Sequence, residues 1–292
     1  MPPDPVYLGY RAASALAQIV PGPTIEAVST GLGRIGSMLM ADRRAMVERH
    51  QRRVDPDATD AVIAQRVRGA FASYARYWVE SFRLPGTARS DLERQWRTEG
   101  YEHVEAGLAA GQGVVLALPH LGGWEWAAFW LTAVQGRPVT AVAEVVEPPE
   151  LAEWFIGLRR QFGLDVVALG PDAGPRVARA LKANQIVCLL CDRDVAGGGV
   201  DVEFFGERTT LPGGPATLAA RSGAPLLPTA TYFDGKHHLG VVRPPVDTSR
   251  QGKLRTDVAR ITQDLAHELE GLIRRAPDQW HLMQPNWPSD RV

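Results

Sequence analysis

An α/β fold, with a central mostly parallel β-sheet flanked by helices and an N-terminal helical extension, is what this 292-residue sequence predicts. Three observations carry that expectation. From Gly113 onward, short apolar runs alternate with segments of helical period, the pattern of βαβ units. The first hundred residues show only the helical period. Hydrophobic residues make up 45% and charged residues 22%, a composition that can bury a core. Length alone allows about two domains; the pattern favours an extension over residues 1–111 and an α/β core over 112–292, joined as one unit.

The elements follow in order. Residues 7–20 are rich in Ala, Leu and aromatic residues and stop at Pro21-Gly-Pro23. A second helix is expected over 24–40, followed by a charged turn at Asp42-Arg-Arg44. A third, over 57–82, places Ile63, Val67, Phe71, Tyr74, Trp78 and Phe82 near a 3.6-residue period. A short helix over 101–110 ends at Gly111. Strands are then expected at 114–118, 139–143, 166–168, 186–191, 226–232 and 239–243. Helices are expected at 124–134, 149–162, 173–183, 212–222 and 253–275.

Several function classes fall away. Net charge is −1, so no global basic field points to nucleic acid. Of 32 basic residues only Lys182, Lys236 and Lys253 are lysines, which reads as the codon bias of a GC-rich genome. Cys188 and Cys191 form a C-x-x-C inside an apolar run, where a three-residue offset sends two strand side chains to opposite faces. They read as buried thiols, not a redox pair or a disulfide framework. No apolar stretch is long enough to span a bilayer, and no secretory signal is recognisable. No H-E-x-x-H occurs, and His237-His238 are expected in a hairpin turn, so no metal site is expected. Gly197-Gly-Gly199 reads as a flexible connection.

Chemistry concentrates in Leu116-Ala-Leu-Pro-His-Leu-Gly-Gly-Trp-Glu125. A strand leads into His120, two glycines and a helix whose first turn holds Glu125. Ligands of such sheets sit beyond the carboxyl ends of the strands, where His120 falls. A Glu125 carboxylate folded back onto the imidazole would fix its tautomer and stabilise the imidazolium formed on proton uptake. Helix N-terminal N–H groups would serve a developing oxyanion. The same spacing also suits a strand-end histidine satisfied by backbone and a plain N-terminal carboxylate. There is no G-x-S-x-G and no companion nucleophile, which favours direct attack by an activated hydroxyl.

Pro119-His120-Leu-Gly-Gly-Trp-Glu125 resembles the His-x4-Asp/Glu motif of the lysophospholipid acyltransferase-like superfamily, in the branch that holds lipid A and phosphatidylinositol mannoside acyltransferases. Cys191-Asp-Arg-Asp194, Val202-Glu-Phe-Phe-Gly-Glu207 and the stretch from Leu211-Pro-Gly-Gly-Pro215 to Ser222-Gly-Ala-Pro-Leu-Leu-Pro228 resemble its later blocks, in order. Pro277-Asp-Gln-Trp-His281 with Gln284-Pro-Asn-Trp287 is closer to the mannoside enzymes than to the lipid A enzymes.

The resemblance implies an acyl-CoA-dependent O-acyltransferase with no resident cofactor. It moves a long acyl chain, palmitoyl by expectation, to the 6-hydroxyl of mannose in phosphatidylinositol mannosides. His120 is similar to the general base and Glu125 to its orienting carboxylate. Glu144 matches a site acid, Arg159 a site arginine that holds a polar group, and Asp192 a carboxylate close to the catalytic pair. Two departures stand out: Glu125 where the mannoside enzymes have Asp, and Val145 where they have a basic residue. Trp124, Trp126, Phe129 and Trp130 are candidates for an acyl groove, and Trp280, His281 and Trp287 for packing alone. The alternatives are a lipid A type acceptor, an acyl-CoA thioesterase or lysolipase using the same base, or a non-catalytic lipid-binding protein.

Residues 1–53 hold seven arginines against four acids, with Arg43, Arg44, Arg49, Arg52 and Arg53 following two apolar-rich helical runs. That combination predicts peripheral attachment to an anionic membrane surface at the cytoplasmic face of the inner membrane. The competing expectation is that these helices simply pack on the core.

Overall fold

The computed structural model describes residues 4–144 and 146–291. Helix α1 (Pro5–Ile19) starts at the Asp4 side chain, which accepts from the Val6 N–H at 2.7 Å. Helices α2 (Ile25–Leu39), α3 (Ala41–Val54) and α4 (Asp60–Arg83) follow, then α5 (Arg89–Arg94), strand β1 (Trp96–Glu99) and α6 (Glu102–Ala109). Beyond them the expected alternation holds: β2 (Val114–Leu118), α7 (Trp124–Phe129) running into a π-helical turn, β3 (Val139–Ala143), α8 (Pro149–Arg160), β4 (Leu164–Ala168), α9 (Ala173–Lys182) and β5 (Ile186–Leu190). A hairpin of β6 (Val200–Phe204) and β7 (Glu207–Leu211) precedes α10 (Gly214–Ser222), β8 (Leu226–Asp234), β9 (His237–Val242) and α11 (Leu254–Arg275).

Seven strands form one sheet in the order β1-β9-β8-β2-β5-β3-β4, with all neighbours parallel except β8 and β9. Alternate residues feed two cores. Val115, Ala117, Val187 and Leu189 pack with Val177, Ala219, Ile261 and Leu265 of α9, α10 and α11; Val114, Leu116, Leu118 and Ile186 pack with Val104, Trp130 and Leu131 on the other face. Cys191 joins the first core and Cys188 lies against the second, so the two thiols do face opposite ways.

Two local expectations need correction. The charged stretch Asp42-Arg-Arg44 is the first turn of α3, since nothing in it breaks a helix. The turn between β8 and β9 is Gly235-Lys236, so His237 and His238 both belong to β9 and His238 is buried against Glu80 at 2.6 Å. The arginines of α3 also find partners: Arg53 reaches Glu207 at 2.7 Å and Asp290 at 2.8 Å and lies over the Trp287 ring, while Arg52 bridges Glu48 and Asp60 at the surface.

The first two helices invert the usual helical burial pattern. Helix α2 turns Ser29, Gly33 and Ser37 inward, and a side chain at Gly33 would lie 2.6 Å from the backbone of Ala72 in α4. Small residues at every fourth position thus let two helices touch closely. The large side chains point out: Leu16 and Ile19 on α1 are 63% and 75% exposed, Met38 and Leu39 on α2 are 74% and 78%.

After α11 the chain runs back across the sheet's carboxyl edge. The Gln279 carbonyl accepts from the Gly122 N–H at 3.0 Å, and the His281 N–H donates to the His120 carbonyl at 2.7 Å. Asp290 secures the far end through the N–H groups of Asn286 and Trp287, His50 and Arg53.

Candidate active site

His120 stands just past the carboxyl end of β2, and β5 is its parallel neighbour. Leu118 pairs with Leu190, so two residues further on His120 comes level with Asp192. The imidazole Nδ1 lies 2.6 Å from Asp192 Oδ1, and the His120 N–H donates to Oδ2 at 3.0 Å. Trp280 Nε1 donates to the same Oδ2 at 2.8 Å, and the Asn286 amide donates to the Asp192 carbonyl at 3.0 Å. Asp192 is fully buried. Burial alone would raise its carboxyl, but the facing imidazole and the donors from Trp280 and the His120 backbone outweigh that and hold it below the usual range. Nδ1 is thereby committed, while Nε2 takes no hydrogen bond among the described residues and the ring lines the chamber below.

The expected partner, Glu125, is elsewhere. Its carboxylate accepts from Arg159 Nε at 3.0 Å, from Arg159 Nη2, and from the Tyr77 hydroxyl at 3.3 Å. Burial would lower the Arg159 guanidinium, but the adjacent carboxylate raises it. The loop between strand and helix explains the difference. With His120 tied to Asp192 and to the C-terminal segment, its ring turns toward β5, whereas Glu125 in the first turn of α7 faces α4 and α8. Gly122, at φ +61°, lets the loop pass where a side chain would collide with the Thr231 carbonyl. Trp124 links the two clusters: its ring is T-shaped to His120 at 6.0 Å and stacked on Tyr77 at 4.1 Å.

His120, Trp124, Glu125, Glu144, Arg159 and Arg193 line one chamber of about 1000 Å³, whose walls are otherwise mostly apolar. Its shape follows from the sheet. Pairing between β3 and β5 stops at Ala141 and Cys188, while β3 stays with β4 to Ala143 and β5 stays with β2 to Leu190. The sheet therefore splits at its carboxyl edge, and the chamber takes walls from both faces, Leu190 and Ala143 on one and Leu189 and Val142 on the other. Glu144, at the end of β3, bridges the split to Arg193 at 2.9 Å. Val145 lies outside the described residues.

Of the four groove candidates, Trp124 and Trp130 line the chamber with Ala127, Ala128 and Leu131. Trp126 and Phe129 do not: they point to the opposite side of the helix, Trp126 stacked on His238 at 4.1 Å and Phe129 packed on Phe162 at 4.2 Å. Trp280 is the residue that sequence reasoning passed over. It lies 88 residues beyond Asp192 and was read as packing alone, although the Pro277-Asp-Gln-Trp-His281 block that holds it carries part of the resemblance.

A family model for bacterial lipid A biosynthesis acyltransferases matches residues 5–289. The chain belongs to that acyltransferase family. It is 37% identical over 288 residues to the phosphatidylinositol mannoside acyltransferase of Mycolicibacterium smegmatis, covering 97% of this chain and 91% of that protein. Identity to the phosphatidylinositol mannoside acyltransferase of Mycobacterium tuberculosis H37Rv is 42% over 223 residues, 75% of this chain and 69% of the relative. The Haemophilus influenzae lipid A biosynthesis acyltransferase is 29% identical over 200 residues, 66% and 59% of the two chains. As a member of this family the protein is an acyltransferase. Among the described residues no group of His, Cys, Asp and Glu is arranged to hold a metal ion.

Proposed function

We propose that this acyltransferase moves a long-chain acyl group, palmitoyl in the first instance, from acyl-CoA to the 6-hydroxyl of mannose in a phosphatidylinositol mannoside. The observation that carries the reading is the His120–Asp192 pair, its carboxylate fully buried, at a large and mostly apolar chamber that Glu144 and Arg159 also line. A hydroxyl at the mouth gives its proton to His120 Nε2 as it attacks the acyl carbonyl, and Asp192 stabilises the imidazolium. Among the described residues, neither cysteine nor Ser222 is suited to carry the acyl group in between. Burial pushes the Cys188 thiol up to about 12 and that of Cys191 well above its ordinary value, and Ser222 donates to the Leu218 carbonyl at 2.7 Å at the end of α10. Glu144 and Arg159, which line the same chamber, suit the polar head of the acceptor.

The test is turnover of labelled acyl-CoA with and without phosphatidylinositol mannoside. Rapid turnover is expected only with the acceptor, and His120→Ala is expected to lower it by about 10²–10⁴-fold while the protein still folds. Equal turnover without acceptor would replace transfer by hydrolysis.

The same reading includes peripheral attachment to the cytoplasmic leaflet. Among the described residues no helix is long and apolar enough to cross a membrane. Leu16 and Ile19 on α1 and Met38 and Leu39 on α2 are exposed apolar side chains, and Arg43 and Arg44, which follow α2 in sequence, are exposed as well. Replacing all four apolar residues by Ser is expected to abolish sedimentation with anionic vesicles and leave the melting temperature unchanged; undiminished sedimentation rejects this placement.

A further inference from the structure

The chamber reaches to both sides of the sheet, and its two limbs end differently. On one side it takes Pro175 and Ala178 of α9 and Leu218 and Arg221 of α10, and Arg221 is exposed. On the other it passes under α7, and the sheet order gives its course. Leu118 on β2 lines it, then Thr231 on β8, Gly240 on β9 and Trp96 on β1, each on the next strand. That is three strand spacings from the strand that leads to His120, about 14 Å at the usual separation.

Trp96 closes this second limb. Its ring is stacked on Trp130 at 5.3 Å, and Tyr101 meets Trp130 edge-on at 5.2 Å. A side-chain carbon at Gly240 would lie 2.4 Å from Cζ2 of the Trp96 ring, so the indole fills the space that a Cβ would need. The polar atoms of the end wall, Trp96 Nε1 and the Tyr101 hydroxyl, are buried, so the surface these rings give the chamber is carbon. An apolar limb that begins beside the base and ends on an indole held between Trp130 and the β9 backbone has a fixed depth. An acyl chain gains free energy with each methylene it buries there, until its end meets the wall. Further methylenes must bend the chain or push packed rings aside.

We propose that Trp96 is the stop for the donor's acyl chain and thereby sets the chain length that is transferred; this rests on the reading of the chamber as the acyl site beside His120. Gly240 is the second determinant, because its bare backbone gives the indole its place.

Titration calorimetry with saturated acyl-CoAs of increasing length, on wild type, Trp96→Ala and Gly240→Ala, reads the depth of the limb. In wild type Kd should fall about fourfold per added methylene and stop falling at one length. In Trp96→Ala that break should move to longer chains. In Gly240→Ala, where the added carbon drives the indole toward the chamber, it should move to shorter ones. Transfer to phosphatidylinositol mannoside from an equimolar mixture of the same acyl-CoAs should shift in the same two directions. Trp96→Phe, a smaller ring, should fall between wild type and Trp96→Ala and serves should the Ala variant not fold. A break at the same length in every variant overturns the proposal. So does an affinity loss equal at all chain lengths, which would make Trp96 a packing residue only. Wild type that shows the break but transfers nothing to the mannoside would reject the acceptor and leave the stop standing; wild type that binds no acyl-CoA would reject the chamber as the donor's site and the stop with it.

Discussion

The carboxylate at the end of β5 and the carboxylate in the first turn of α7 stand on either side of one tryptophan and do different work. Asp192 is fully buried, has no arginine partner, and spends both oxygens on neutral donors and one imidazole. Glu125 keeps slight exposure and faces a guanidinium. A carboxylate whose only ionisable partner is a histidine controls the histidine's charge. A carboxylate already neutralised by arginine adds little field at a distance and mainly holds helices together, here α7 to α8. Closeness to His120 in sequence favoured Glu125; in the structure the imidazole meets Asp192.

Three substitutions break or sharpen the contrast. The largest effect belongs to Asp192→Asn, which keeps the shape but removes the charge behind Nδ1. Turnover is expected to fall by about 10³–10⁴-fold with the acceptor KM little changed, and kinetics over a pH range would show it. Glu125→Gln comes next and should differ in kind. Leaving Arg159 buried without its carboxylate is expected to cost about 3 kcal/mol of stability, read by denaturant unfolding, with a smaller loss of kcat than Asp192→Asn. A loss of kcat as large as that of Asp192→Asn at unchanged stability would reverse the two roles.

The smallest effect concerns His281, which lies between the clusters, hydrogen-bonded to Ser73 at 2.9 Å and packed on Tyr74 and Tyr77. Burial, aided by the nearby His120, lowers its pKa from 6.5 to about 3. Across that window the unfolded chain binds the extra proton, so stability rises with pH. In His281→Gln the rise in unfolding free energy between those pH values should be shallower; an unchanged slope would mean the ring is not held neutral.

Much of the fold was legible because it is written locally. The strands of the core alternate with helices in sequence, and their apolar runs are short and bounded by Gly or Pro. β1 was missed because Trp96-Arg-Thr-Glu99 has one apolar residue in four, and α3 because mean hydropathy is low where arginines serve as structural partners. His120, Glu144, Arg159 and Asp192 were named from sequence and line or adjoin the chamber. The resemblance placed Asp192 close to His120 and Glu125, but that Asp192 and not Glu125 meets the imidazole was not legible, since it depends on β5 lying beside β2 with β3 and β4 intervening in sequence but not in space. Trp126 and Phe129 were misjudged because helical period says which residues share a face but not which face meets the cavity.

The indole that holds Asp192 has a consequence in time. A chain made from its N-terminus completes every strand, the base and the buried carboxylate before residue 280 is translated. Until then Oδ2 of Asp192 has one donor fewer, the loop carrying His120 lacks its two backbone ties, and the sheet's carboxyl edge is open to water. Synthesis thus leaves these last ties to His120 and Asp192 until after the sheet is complete. The same order makes a truncation upstream of Trp280 remove a donor to Asp192 and not merely a tail.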